Sequence, residues 1–154
     1  MFSGQTHFAI KLIESLQPQD LDELIAESEQ QGFEFLRRLI DDWSSGTNRF
    51  DQSGEALLVA NHGRRIVGVC GLNIDPYAGS STIGRVRHLY VLHAFRRQRI
   101  GTKLVETVIS LAQGTFSSLH LYTATKEAGR FYTALGFSET NRFDRCSHIL
   151  ELDL

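Results

Sequence analysis

The sequence predicts a mixed α/β fold of the α+β kind, with a mostly antiparallel sheet and the element order βααβββαβαββ. Three observations carry this. Short turn signals join three apolar strand-like runs between Ala56 and Leu92, which makes those strands antiparallel neighbours. A helix-spaced segment from Ile100 separates two further strand-like runs, which makes a parallel, right-handed crossover. Two helix-spaced segments precede these elements, and two short strands close the chain.

In order, Met1 to His7 is polar and is expected to be loose. Phe8 to Glu14 alternates as a first strand, with Phe8, Ile10 and Leu12 on one face. Pro18 suits a first helical turn, and Leu21, Leu24, Ile25 and Ser28 form the stripe of a first helix ending at Gly32. Leu36, Leu39, Ile40 and Trp43 give a second helix, followed by a polar loop from Ser44 to Gly54. Ala56 to Ala60 and Arg65 to Ile74 are strands about the tight turn Asn61-His62-Gly63-Arg64. Asp75 to Ser80 breaks the chain, and Thr82 to Leu92 is a long strand. Ile100, Leu104, Val105, Val108, Leu111 and Ala112 mark a third helix that Gly114 stops. Leu119 to Tyr122 is the fifth strand. Thr125 can cap a fourth helix with the stripe Ala128, Phe131, Tyr132 and Leu135, and Gly136 ends it. Phe137 to Thr140 and Cys146 to Leu152 are the last strands, around the loop Asn141 to Arg145.

The length of 154 residues suits one domain with a sizeable core, spanning residues 1–154. Hydrophobic residues make up 42% and charged residues 22%, as in a soluble globular chain. The net charge of -2 argues against a nucleic-acid partner held by overall charge. Cys70 and Cys146 form no disulfide framework, which suits a reducing, cytoplasmic setting. No apolar run approaches the roughly 20 residues that cross a bilayer, and no signal peptide or membrane partner is expected. No metal-ligand pattern is present in the sequence, and either a monomer or a homodimer is compatible with it.

The stretch Leu89 to Lys103 joins a strand to a helix through the basic loop Arg96-Arg97-Gln98-Arg99. A helix start offers about four unpartnered N–H groups and roughly half a positive charge, which suits phosphate. Gly101 lets a ligand approach the backbone, and the arginines add charge-assisted donors. Two readings follow: a pyrophosphate cradle running from Arg96 through Arg97, Gln98, Arg99, Ile100 and Gly101 to Thr102, or solvated arginines ahead of an ordinary amphipathic helix.

Arg96-x-x-Arg99-x-Gly101, behind Leu89-Tyr90-Val91-Leu92, resembles the acyl-CoA-binding signature of the Gcn5-related N-acetyltransferases (GNAT family), usually written Gln/Arg-x-x-Gly-x-Gly/Ala. The departure is Arg99, where that pattern prefers glycine. Thr125-x-x-Ala128-x-x-Phe131-Tyr132-x-x-Leu135-Gly136-Phe137 resembles the family's segment after the fifth strand, with Thr125 replacing the usual Asn. The element order matches the family's fold along almost the whole chain.

The resemblance implies acetyl transfer from acetyl-CoA (coenzyme A) to an amine. It implies a pantetheine arm paired along Leu89, Tyr90 and Val91, with a backbone amide near Val91 facing the developing oxyanion. Thr125, Ala128 and Tyr132 are the implied contacts on the fourth helix, and Tyr132 is the implied proton donor to the leaving thiol. By spacing alone Tyr132 also fits a simple packing role beside Phe131. The base stays open. Where some members carry Glu this chain has Arg85, and near the end of the fifth strand, where others carry an acid, it has Tyr122. His88, His120 or a water relay are the alternatives.

The acceptor implied is a primary amine of a small molecule or a protein N-terminus. Arg85 and Arg87 share one strand face, and Arg142 and Arg145 lie in the last loop, so an acceptor bearing an acid group is one expectation. Pairing of these arginines with acids of the first two helices is the other. A non-catalytic acyl-CoA-binding sensor or interaction module is the rival to an enzyme.

Overall fold

The structure, a computed structural model, describes residues 7–152. All but the last residue of the expected loose stretch Met1 to His7 therefore lies outside the described residues. β1 (Ala9–Leu12) leads to a 3-10 turn (Pro18–Leu21), α1 (Asp22–Gln30) and α2 (Phe35–Ser45). Then come β2 (Ala56–His62), β3 (Arg65–Ile74), β4 (Ile83–Val91) and a second 3-10 turn (His93–Phe95). α3 (Ile100–Ala112), β5 (Ser118–Leu121), α4 (Lys126–Ala134), β6 (Ser138–Glu139) and β7 (His148–Glu151) complete the chain.

The strands form one seven-stranded sheet in the order β1-β2-β3-β4-β5-β7-β6. Among the described residues only β4 and β5 pair in parallel, across the α3 crossover, so the expected class and element order hold. The start of the first helix is a 3-10 turn opened by Pro18, whose fixed φ and missing donor are tolerated at a first turn. α2 runs into the expected loop as far as Ser45, because Gly46 takes the left-handed conformation that closes a helix. β1 is shorter than its alternation suggests: Phe8 and Ile10 are half-buried, but Leu12 is 55% exposed at the sheet edge.

The sheet has a helix layer on each face. Gly68 lies beneath α3, where a Cβ would meet a Leu104 methyl at 3.1 Å. Gly71 lies on the opposite face, where a Cβ would meet the Phe50 ring at 2.6 Å. Ile100, Leu104, Val105, Val108 and Ala112 bury the α3 stripe completely, and Leu24, Ile25, Leu36 and Leu39 bury those of α1 and α2.

Two irregularities shape the second half of β4. First, Val69 pairs with Tyr90 but Gly71 pairs with Arg87, so β4 carries one extra residue. His88 absorbs it with φ 61°, a bulge that re-aims the residues after it. Second, β5 pairs with β4 only at Ile83, Gly84 and Arg85, then follows β7 through Leu121 and His148. Among the described residues no strand pairs with the β5-facing edge of β4 from Val86 to Val91.

Candidate active site

The basic loop lies where that edge ends. Arg97 and Arg99 both take left-handed backbone, at φ 65° and 66°. Arg99 is the residue before α3 and caps none of its first-turn amides with a side chain. The departure from the family pattern thus falls at a conformation glycine adopts without steric cost. Arg97 and Arg99 are exposed, while Gln98 is half-buried with its amide oxygen unpartnered. Arg96 turns back onto the strand: its Nε donates to the Val91 carbonyl at 2.9 Å, and its guanidinium lies 5.2 Å from the Tyr90 ring centre.

α4 supplies the facing wall. The Thr125 hydroxyl accepts the Ala128 amide at 3.1 Å, so Thr125 caps the helix as expected. A Cβ on Gly101 would lie 3.6 Å from Phe131 and 3.8 Å from Val91, so the start of α3, the end of β4 and α4 adjoin. Tyr132 is 8% exposed and packs edge-on against Phe131 and Phe137, with ring centres 5.0 Å and 5.6 Å away. Burial, and after it the neighbouring Cys70 thiol, pushes its pKa far above the ordinary phenol value, with no hydrogen bond contributing. The hydroxyl therefore keeps its proton at any physiological pH.

The residues expected at the acceptor divide: Arg85 and Arg145 meet over the Tyr77 ring, and Tyr122 and Arg87 lie apart from them. Tyr122 lies just beyond β5 and is 61% exposed. Arg85 is buried and committed, with Nη1 3.2 Å from Asp75 and Nη2 donating to the Arg145 carbonyl at 2.7 Å. The acid it meets comes from the end of β3, not from α1 or α2 as one expectation had it. Arg142 and Arg145 are exposed and lie over Phe143 and Tyr77. Arg87, by contrast, lines a cavity of about 300 Å³ beneath the loop joining α2 to β2.

Asp75 is a functional-looking residue that sequence reading assigned to a turn. Its Oδ1 does hold that turn, accepting the amides of Tyr77 and Ala78 at 2.7 and 3.1 Å. Its Oδ2 faces Arg85 and lies 3.7 Å from His120 Nδ1. Burial lowers the His120 pKa, with Asp75 opposing and Arg85 adding to the shift. His88 sits between Phe35 and Phe50, its Nδ1 buried without a partner. Burial first, and Arg87 second, lower its pKa to about 3.

Residues 53–139, more than half of the chain, match the family described as acetyltransferase (GNAT) domain. No curated protein matches the chain. Among solved structures, one assigned as an acetyltransferase from Exiguobacterium sp. 255-15 is 29% identical with a TM-score of 0.83, over 94% of this chain and 93% of that one. A GNAT-family acetyltransferase from Staphylococcus aureus Mu50 shares the fold at 23% identity and a TM-score of 0.71, over 94% of this chain and 100% of that one. A protein from Pyrococcus horikoshii OT3 does so at 22% and 0.73, over 96% and 100%. The parted β4 and β5, the basic turn into α3 and the sequence match agree, and the chain belongs to the GNAT acetyltransferase family.

Proposed function

We propose that the protein transfers an acetyl group from acetyl-CoA to a primary amine of a small molecule or a protein N-terminus. The observation that carries this reading is the unpaired edge of β4 from Val86 to Val91, which ends at the uncapped start of α3. An amide-rich arm finds strand-like donors and acceptors along such an edge. The first-turn amides of α3, with Arg97 and Arg99 beside them, suit a pyrophosphate. Gln98 adds an unpartnered amide oxygen at the same turn. The residues present therefore fit an acyl-CoA.

Bound there, acetyl-CoA supplies an activated thioester, and the protein supplies orientation and proton handling. A backbone amide near Val91 is the donor for charge developing on the thioester oxygen. With acetyl-CoA bound, Tyr132 would be the group that gives its hydroxyl proton, or a hydrogen bond, to the sulfur as the acyl group passes from it to the amine nitrogen, and solvent would restore that proton and receive the one the amine loses. Thr125 caps α4 by accepting the Ala128 amide and so fixes the start of the helix that carries Tyr132.

The test is thiol release from acetyl-CoA with a panel of amines and peptide N-termini, with mass spectrometry of the acceptor. Amine-dependent release and an acceptor heavier by one acetyl group are expected. Tight acetyl-CoA binding with no release for any amine would instead make the protein a non-catalytic acyl-CoA-binding module.

A further inference from the structure

A second cavity, of about 760 Å³, lies between α4 and the strands β6 and β7. That size suits a small molecule. α4 turns Ala128, Phe131 and Tyr132 towards the core, and Lys126, Gly129, Arg130 and Thr133 towards the cavity. His148 stands between the two sides. It lines the cavity, and its ring centre lies 6.5 Å from that of Tyr132.

Ser147 fixes the proton of His148. The Ser147 hydroxyl oxygen accepts the Thr123 amide at 2.9 Å. Its own proton has two acceptors in reach, His148 Nδ1 at 2.8 Å and the Leu121 carbonyl at 3.5 Å. That carbonyl already accepts the Ser147 amide at 2.8 Å, and 3.5 Å is long for an O–H donor. The hydroxyl therefore donates to Nδ1, which leaves a proton on Nε2. His148 is 5% exposed, and its Nε2 is buried without a partner. It faces α4 at Gly129, where a Cβ would stand 3.4 Å from it. A buried N–H without an acceptor favours an oxygen that a ligand brings.

The charges around it lean the same way. Lys126 and Arg130 stand one helical turn apart on the cavity wall. Among the described residues the ion pairs join Arg37 to Glu29, Arg65 to Glu23, and Arg85 and His120 to Asp75, so neither cation is paired. Glu139 is the one carboxylate on the wall, and it is equally unpaired. Two hydroxyls of the lining are spent within α4: Thr125 accepts the Ala128 amide, and Thr133 donates to the Gly129 carbonyl at 2.8 Å. The cavity thus sets two cations and a buried N–H against one carboxylate.

We propose that this cavity is a ligand site separate from the acyl-CoA cleft, and that it takes a small molecule by a carboxylate or phosphate group. Arg130, whose planar fork matches either group, and Lys126 hold the oxyanion. His148 adds a third donor where Gly129 leaves its Nε2 uncovered. Glu139 takes an N–H or a hydroxyl elsewhere on the ligand. The site goes beyond the acetyltransferase reading and does not depend on it.

The experiment is an NMR titration of the full chain with CoA present, so that the basic loop is already filled. Inorganic phosphate and succinate are added separately, with sodium chloride at matched ionic strength as the control. Saturable shifts of the Gly129 and Arg130 amides and of the His148 ring are expected, with a Kd on the order of 1 mM for probes this small. The tighter of the two anions names the group the ligand carries. Arg130→Gln should weaken binding at least tenfold, the size of a lost charge-assisted pair. Gly129→Ala should weaken it several-fold by covering Nε2, while helix propensity keeps the fold at least as stable. Thermal melting reports whether each variant is folded. Shifts that merely follow ionic strength, or a saturable site that survives both substitutions, would overturn the proposal. Saturation seen only without CoA would place the anion at the start of α3 and overturn it as well. Amine-dependent thiol release tests the acetyltransferase reading alone, so either can fail while the other stands.

Discussion

The Tyr90 hydroxyl donates a 2.6 Å hydrogen bond to the Glu27 carboxylate and so ties the end of β4 to α1. The same carboxylate oxygen accepts the His93 amide at 2.9 Å, two residues past the strand. Together these contacts set where the basic loop leaves the sheet. Burial first, then the hydrogen bond to Glu27 and after it the Glu27 charge, raise the Tyr90 pKa to about 12.

Tyr90→Phe removes the tie and keeps the ring, so it should cost about 1–2 kcal/mol of stability. The sign of its pH dependence follows from the raised pKa. An unfolded tyrosine ionises near pH 10, so the contribution is whole below about 10 and is lost as pH rises through about 12. Urea midpoints at pH 8 and pH 11 should therefore fall further apart in the wild type than in the variant. Equal falls in both would assign the alkaline loss to another group.

Arg99 sits at φ 66°, where a side chain costs about 1–2 kcal/mol. Glycine relieves that strain but adds unfolded-state entropy worth roughly 0.5–1 kcal/mol. Arg99→Gly should then stabilise the fold by up to about 1 kcal/mol, raising Tm by about 2–4 °C. Arg99→Val, branched at Cβ, should lower Tm. A lower Tm for the glycine variant would mean that the arginine side chain makes a contact worth more than the strain.

Gly101 separates fold from cofactor. A Cβ there would meet only Phe131 and Val91 at ordinary contact distances, 3.6 and 3.8 Å, and its φ is not left-handed. Gly101→Ala should fold at least as well as wild type, gaining up to about 1 kcal/mol of helix propensity. Gly101→Glu places bulk and negative charge at the proposed phosphate cradle and should weaken acetyl-CoA by at least tenfold in calorimetry. An unchanged affinity would remove the cradle from this helix start.

Helix stripes and strand limits were legible wherever burial alone decides the residue pattern. Arg65 to Ile74 is the clearest strand, and every residue of the α3 stripe but Leu111 is buried. Leu111 is 45% exposed because it lies at the margin of that stripe. The acceptor side was less legible because it depends on register. Arg85 and Arg87 look equivalent in an alternating strand. Asp75 reaches only Arg85, because its own amide bonds the Ile83 carbonyl and fixes it beside the start of β4. The bulge at His88 has no glycine or proline to announce it, and Glu27 lies 63 residues from the tyrosine it holds.

His88 should make the fold acid-sensitive. Its pKa near 3 in the folded chain lies below the unfolded value of about 6.5, so protons favour the unfolded state. Its neutral form therefore supports full stability above about pH 6.5, and this is lost as pH falls from there towards 3. His88→Asn suits the left-handed backbone and cannot titrate. The drop in urea midpoint between pH 7 and pH 4.5 should be smaller in this variant than in the wild type. The same drop in both would clear His88 of the effect.

Tyr132 offers the sharpest separation of packing from chemistry. Its ring is held by Phe131 and Phe137, and both contacts survive in Tyr132→Phe. No hydrogen bond contributes to the pKa of its hydroxyl, so deleting that oxygen breaks no contact that supports the fold. Stability should change by less than about 0.5 kcal/mol, as for a substitution that leaves no partner unsatisfied. If the hydroxyl hands its proton to the departing sulfur, kcat should fall by about 10²–10⁴-fold, the usual contribution of a positioned acid. The acetyl-CoA dissociation constant should move little, since the proton is needed only as the C–S bond breaks. A leaving group of lower pKa needs the proton less, so an acetyl thioester of a more acidic thiol should narrow the gap between variant and wild type. A change in kcat below about threefold, or a deficit independent of the thiol, would leave Tyr132 as a packing residue.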